Sequence, residues 1–287
     1  MPESQTSDLL ALLELEPLEV NLFRGESRDI GSAQVFGGQV LGQALTAASR
    51  TVEGRIVHSL HAYFLRRGDF NAPIVYEVDR SRDGQSFSNR RVIAIQHGEQ
   101  IFNMTASFQE VQQGLEHQIE MPQVPPPEEL PDMIEALRPM AERFPERIRR
   151  FIESPRPFEF RMVQAVNPFE PQKSEPLRQV WLRSCGAIPD DESLHRRLLA
   201  YVSDYYLLDT STLPHGMSFL SSKVIMASID HAMWFHRSLR VDDWLLYALD
   251  SPSASGARGF GRGSVFSRDG RLVASTAQEG LVRVAGA

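Results

Sequence analysis

The chain has 287 residues, enough for one large domain or two ordinary ones, and 42% of them are hydrophobic, enough to build a core. Its net charge of −7 excludes the basic face that nonspecific nucleic-acid binding needs, and its single cysteine, Cys185, excludes an internal disulfide and a multi-cysteine metal site. No apolar run of about 18 residues is present to span a membrane, the opening "MPESQTSDLL" is acidic where a signal peptide is basic, and "VRVAGA" carries no peroxisomal tripeptide, so a cytoplasmic location is expected. In chain order, "TSDLLALLELEP" opens with capping residues, spaces its leucines as a helix does and stops at Pro17. "EVNLFRGES" reads as a strand, and "FGGQVLGQALTAASRT" as a helix of small residues able to lie close against a sheet. Strand-like runs follow in "VHSLHAYFLR", "PIVYEVDRSR" and "SFSNRRVIAIQHGEQIFNMTASFQ", the last folding back on itself at "HGEQ". From Glu116 to about Pro157 the composition turns to proline and charge, which marks a linker carrying a helix or two.

Beyond the linker the same order returns. "FEFRMVQ" and "RQVWLRS" read as strands, "DESLHRRLLAYVSDYYLLDT" as a helix, and "SSKVIMASIDHAMWFHR", "DWLLYALDSP" and "GRGSVFSRDGRLVASTAQEGLVRV" as strands again. "HAYFLR" at His61 answers "HAMWFHR" at His231, and the closing hairpins also correspond, giving an internal repeat of about 170 residues, too long for a solenoid. The expected organisation is an N-terminal repeat over 1–115, a linker over 116–157 and a C-terminal repeat over 158–287. A long helix followed by antiparallel strands, twice over, predicts an α+β double hotdog: two tandem repeats, each an antiparallel sheet wrapped around a long helix.

One residue stands out against this pattern. Asp204 lies in a stretch that otherwise reads as a buried helix, sharing its face with Ala200, Tyr201, Leu207 and Leu208. An ionised group there needs a partner, such as Arg197, or a chemical task. The first repeat holds no Asp or Glu from Gly31 to Thr51 and so offers no counterpart. By the repeat, His58 stands opposite Ser228, and Ala106 or its neighbour opposite Gln278. His231 and His236 fall on opposite faces of a strand, which argues against a shared metal.

"FGGQVLGQAL", "VHSLHAYFLRRGD", "YVSDYYLLDT", "IDHAMWFHR" and "WLLYALDSPSASGARGFGRGSVFSRDGRLVASTAQEG" together resemble the acyl-CoA thioesterase II family, the TesB-like double-hotdog enzymes, from roughly Leu9 to Val284. The resemblance implies hydrolysis of medium- to long-chain fatty acyl-CoA, with no cofactor or metal, in a homo-oligomer, dimer or tetramer. It also implies that Asp204, Ser228 and Gln278 hold and activate a water, with Ser228 at a position that takes threonine or serine. Chemically the set is coherent: a carboxylate accepts the water's proton, while a neutral hydroxyl and a carboxamide orient it. Oxyanion donors are expected from backbone amides near a helix start or from Gln278.

Further substrate-binding candidates are His58, Tyr63, Met233, Trp234, Arg258 and Arg262. Arg66, Arg67, Arg90, Arg91 and Arg237 join the two arginines as possible phosphate partners, and Phe64 and Phe235 join the apolar lining. The glycine-rich "ASGARGFGRG" lacks the lysine and the following helix of a phosphate loop, so it is expected to let a strand bend or pass close to another backbone. Two other functions fit the same fold: a non-catalytic acyl-CoA-binding sensor, and a hotdog enoyl-CoA hydratase, which would need an Asp and a His close together near the helix start. A serine-nucleophile mechanism lacks its G-x-S-x-G elbow.

Overall fold

Small side chains allow one helix to vanish inside the protein. α2 (Gly37–Ser49) is buried from Gly38 through Ala48, which is why its sequence is rich in Gly, Ala and Leu and lacks a charged face. The computed structural model describes residues 2–31, 34–153, 156–164, 167, 169–218 and 224–284. Before α2 come α1 (Pro2–Leu13), β1 (Glu16–Glu19) and β2 (Leu22–Gly25); after it come β3 (Ile56–Phe64), β4 (Ile74–Asp83), β5 (Phe87–Gln96) and β6 (Glu99–Gln109). A long connection bearing α3 (Met133–Leu137) and α4 (Glu146–Glu153) leads to β7 (Phe158–Met162), β8 (Leu177–Ser184) and α5 (Glu192–Val202). The chain closes with β9 (Val224–Ser228), β10 (Asp230–Phe235), β11 (Leu245–Ser255), β12 (Arg258–Ser267) and β13 (Leu272–Val284).

All the strands join one antiparallel sheet in the order β1-β2-β4-β5-β6-β3-β10-β13-β12-β11-β8-β7, with β9 pairing β13 beside β10. The order is symmetric about the β3–β10 seam. Each side is a sheet wrapped around its helix, α2 or α5, so the molecule is a double hotdog. The seam is an antiparallel ladder from Asp230 opposite Tyr63 to Trp234 opposite Ser59, extended by the Phe64 amide donating to the Ile229 carbonyl at 2.9 Å.

The two buried glutamines of α2 are both hydrogen-bonded to the chain around the helix. Gln43 donates to the carbonyls of Leu12 and Glu26 and accepts the Tyr76 hydroxyl at 2.7 Å, while Gln39 bonds the backbone of Arg28 and Glu26. These bonds clip the chain between β2 and α2 onto the helix, and they satisfy groups that would otherwise be expensive to bury. Arg90, 1% exposed, is likewise saturated by Thr51, Arg82, Asn89 and Asp83, so it is part of the framework and no phosphate partner.

Several local expectations need revision. "EVNLFRGES" is part of a small hairpin, β1 and β2, turning at Asn21 with φ 63°. The helix expected to run through Asp204 stops at Val202. The repeat anchor is displaced by one residue: His61 is exposed on the outer face whereas His231 is buried on the inner one. Pairing register supplies the correct correspondence, Leu60 opposite Ala106 in the first half matching His231 beside Gln278 in the second. Val57, not His58, then stands where Ser228 does.

The glycine-rich run behaves as expected. Gly256 and Ala257 both take positive φ in a tight turn, and Gly259, Gly261 and Gly263 then alternate along β12. A Cβ on Gly259 would sit 2.2 Å from Ser211 Oγ, and one on Gly261 2.5 Å from the Leu207 carbonyl oxygen. The bare strand is a floor on which residues 207–211 rest. Gly261→Ala is expected to destabilise by about 1–3 kcal/mol, because the collision is with rigid backbone. Gly114→Ala, with nothing near its Cβ, should stay within about 0.5 kcal/mol of the parent; denaturant midpoints at unchanged m value check both.

Candidate active site

α5 is held at its start by Asp191, whose carboxylate accepts the Ser193 amide, and it ends with Ser203 as its C-cap. Asp204 therefore lies in the turn that leaves the helix. Two residues later Tyr206 takes φ 66°, an unfavourable conformation for a bulky side chain, held by Met133 Sδ on its hydroxyl at 3.1 Å and by the Phe160 ring. The chain thus reverses sharply over the glycine floor and presents the Asp204 carboxylate to α2.

The two central helices run antiparallel in very close contact. A Cβ on Gly38 would lie 2.1 Å from the Tyr201 carbonyl oxygen, and one on Gly37 2.6 Å from Asp204 Oδ2. "FGGQ" is therefore a requirement of approach. Phe36, the N-cap of α2, supplies no side-chain cap; instead Gly38 N–H donates to Asp204 Oδ2 at 3.0 Å. The positive end of the α2 dipole favours a carboxylate there, and the Gly38 amide gains the partner that the helix does not supply.

The other oxygen, Asp204 Oδ1, accepts the Gln278 Nε2 at 2.7 Å. Gln278, 1% exposed on β13, also gives Nε2 to His231 Nδ1 at 3.1 Å, and its Oε1 has no protein partner. Ser203 Oγ donates to the Ala200 carbonyl at 2.9 Å, so its 3.0 Å contact with His231 has the imidazole Nε2–H donating. The imidazole is then neutral, with Nδ1 as an acceptor. Complete burial pushes its pKa down to about 4, opposed by the charge of Asp204. The outcome is a chain of bonds, Ser203 to His231 to Gln278 to Asp204, ending at the start of α2.

Asp204 and Ser228 open onto a cleft of about 210 Å³ between the halves. Val35, Phe36, Gly37, Val40, Phe64, Ile101 and Phe102 of the first half line it, with Leu208, Met226 and Ala227 of the second. Ser228 closes β9 opposite Gly280 and just before an irregularity at Ile229, where Asp230 Oδ1 accepts the Glu279 amide at 2.6 Å. The trio named from the sequence thus comes together: Asp204 bonds Gln278 directly, and Ser228 shares the cleft with Asp204.

The remaining candidates lie elsewhere. His58 bonds Ser107 Oγ at 2.9 Å with its ring against Phe87, toward the opposite end of β3 from Phe64. Tyr63 and Trp234 point out from the other face of the sheet, since strand side chains alternate, and Met233 is fully buried in the core. Arg258 pairs with Glu279 and Arg262 with Asp250, both on the surface. Arg237 bonds the Leu272 carbonyl. Of the arginines and aromatics considered, Arg66 and Phe64 line the cleft, Arg66 with Glu99 beside it at 2.9 Å. Cys185 is unactivated, burial pushing its thiol up to about 11. His231 was weighed from the sequence only as a repeat anchor and a metal ligand, and the Gly38 amide as a partner of Asp204 was not foreseen. The readable signal for His231 was an inward position next to Gln278, which only the correct register supplies.

Profiles described as acyl-CoA thioesterase and acyl-CoA thioesterase N-terminal domain match residues 149–281 and 24–109. Acyl-CoA thioesterase 2 of Haemophilus influenzae is 44% identical over 96% of this chain and 97% of its own length, and acyl-coenzyme A thioesterase 8 of Homo sapiens is 43% identical over 95% and 88%. The crystal structure of an acyl-CoA thioesterase II, TesB2, from Mycobacterium marinum superposes with a TM-score of 0.79 at 43% identity, covering 96% of this chain and 98% of that one. With both halves matched and full-length relatives of this similarity, the chain belongs to the acyl-CoA thioesterase II family and is a thioester hydrolase of the double-hotdog fold.

Proposed function

We propose that this enzyme hydrolyses medium- to long-chain fatty acyl-CoA with a water activated by Asp204 and oriented by Ser228 and Gln278. The observation that carries the reading is a carboxylate bonded to Gln278 and to the α2 amide in a cleft whose first-half wall is mostly apolar. Each carboxylate oxygen uses one lone pair on these donors and keeps another for a water proton. The water oxygen bonds to the thioester carbonyl carbon as its proton passes to Asp204. The tetrahedral oxyanion would be met at the positive end of the α2 dipole, where Gly37 lines the cleft, the amides of Gly38, Gln39 and Val40 being already bonded to Asp204 and Phe36. The C–S bond then breaks, and the proton held by Asp204 neutralises the departing thiolate, releasing acid and CoA. No covalent acyl-enzyme is needed.

Val35, Val40, Phe64, Ile101 and Phe102 support an acyl tail directed into the first half, with Arg66 at the rim as a partner for the anionic carrier. Hydration is less well supported: His231 faces Gln278 and Ser203 and presents no free nitrogen to the cleft. Ligand sensing without turnover would leave the buried polar chain without a task. The same reading has the enzyme in the cytoplasm as a dimer or tetramer, which light scattering on the purified protein tests.

Free-thiol release from acyl-CoAs of increasing length checks the reaction and its length preference. Asp204→Asn should lower kcat by about 10²- to 10⁴-fold with little change in KM, because the amide keeps an acceptor for Gly38 but accepts no proton. Ser228→Ala and Gln278→Ala should each lower kcat by about 10²-fold. Unchanged rates in all three folded variants would sink the assignment. Val40→Phe should shift the preference toward shorter chains at unchanged rate on the shortest substrate turned over, by filling the cleft from the α2 side; an unaltered profile would put the tail elsewhere.

A further inference from the structure

Gln278 can serve only if its amide faces the right way, and an amide presents either a donor or an acceptor after a half-turn. The Asp204 carboxylate, which only accepts, selects the nitrogen side of the amide, but one hydrogen bond leaves the group free to swing about it. We infer that His231 is the positioning residue for Gln278: its Nδ1 lone pair takes the second Nε2 proton and thereby fixes the amide with N–H toward Asp204 and Oε1 free of the protein. The inference rests on the role proposed for Gln278.

The geometry leaves the imidazole little choice. Ser203 Oγ spends its only proton on the Ala200 carbonyl, so it can only accept from His231 Nε2–H, and Nδ1 is left as an acceptor toward Gln278 at 3.1 Å. His231 is fully buried, and its strand is locked on both sides, by β3 and by β13. A second, rigid acceptor on the same nitrogen holds the amide in the orientation that Asp204 selects. Full burial of His231 also keeps it uncharged, so the lone pair persists over the working pH range.

Three substitutions separate positioning from mere packing. His231→Asn puts a carbonyl oxygen near the position of Nδ1, His231→Gln reaches instead toward Ser203, and His231→Leu fills space without an acceptor. Expected are losses in kcat of about 10- to 100-fold for Gln and Leu, the scale typical when a group that orients a reacting ligand is removed, with KM unchanged and Asn within about threefold of the parent. In a Gln278→Ala background the same His231→Gln change should have no further effect, since nothing is left to orient. Should the His231 variants fail to fold, Ser203→Ala, which frees the imidazole to exchange its donor and acceptor nitrogens, is read the same way: a lower kcat that vanishes when Gln278 is Ala. Equal losses for Asn and Leu, losses that multiply with that of Gln278→Ala, or no loss at all would each overturn the inference. A parent-like rate in Gln278→Ala itself would instead remove the proposed role of Gln278, and this inference with it.

Discussion

A carboxylate from one half of the chain caps the helix of the other. The bond from Gly38 N–H to Asp204 satisfies an amide that α2 cannot satisfy itself, and it brings the candidate base to the positive end of a helix dipole. Much of the surrounding sequence serves that approach. Gly37 and Gly38 remove the side chains that would hold α2 away from Tyr201 and Asp204; Gly261 and Gly280 let residues 207 and 208 sink onto the sheet; Tyr206 accepts an awkward backbone angle to turn the chain. Stability and chemistry are thus vested in the same atoms.

The two repeats have divided their labour by polarity. Where the second half has Gln278, Ser228 and His231 facing inward, the matching positions of the first are Ala106, Val57 and Leu60, all buried. The first half instead contributes the apolar wall of the cleft and the amide end of α2. The second half adds only Leu208, Met226 and Ala227 to that apolar wall, so the cleft takes its reactive side chains from one half and most of its wall from the other.

Most of the fold was legible because it is written in local pattern. Alternating strands, the breakers between them and the small-residue helix are properties of neighbouring residues, and the "HGEQ" turn formed as expected, with His97 and Gly98 both at positive φ. The trio was legible through its motifs, and Asp204 also through its incongruity among apolar neighbours. What failed was parity. "HAYF" and "HAMWF" look alike, yet the two histidines stand one residue out of step in the pairing register, and a shift of one reverses every face. Tyr63 and Trp234, offered as lining with no face assigned, stand on the outer surface. Contacts between residues far apart, such as His231 with Ser203, depend on register and helix packing and leave no mark on a local pattern.

The seam between β3 and β10 bears on how the enzyme moves. Five residue pairs and the Phe64–Ile229 bond make the halves parts of a single sheet, and the strands that carry the seam lie at its centre, not at an edge. A hinge there would break the ladder outright. Traffic of substrate and product must therefore proceed with the two hotdogs fixed in relation to each other, and any gate is confined to the side chains that line the cleft.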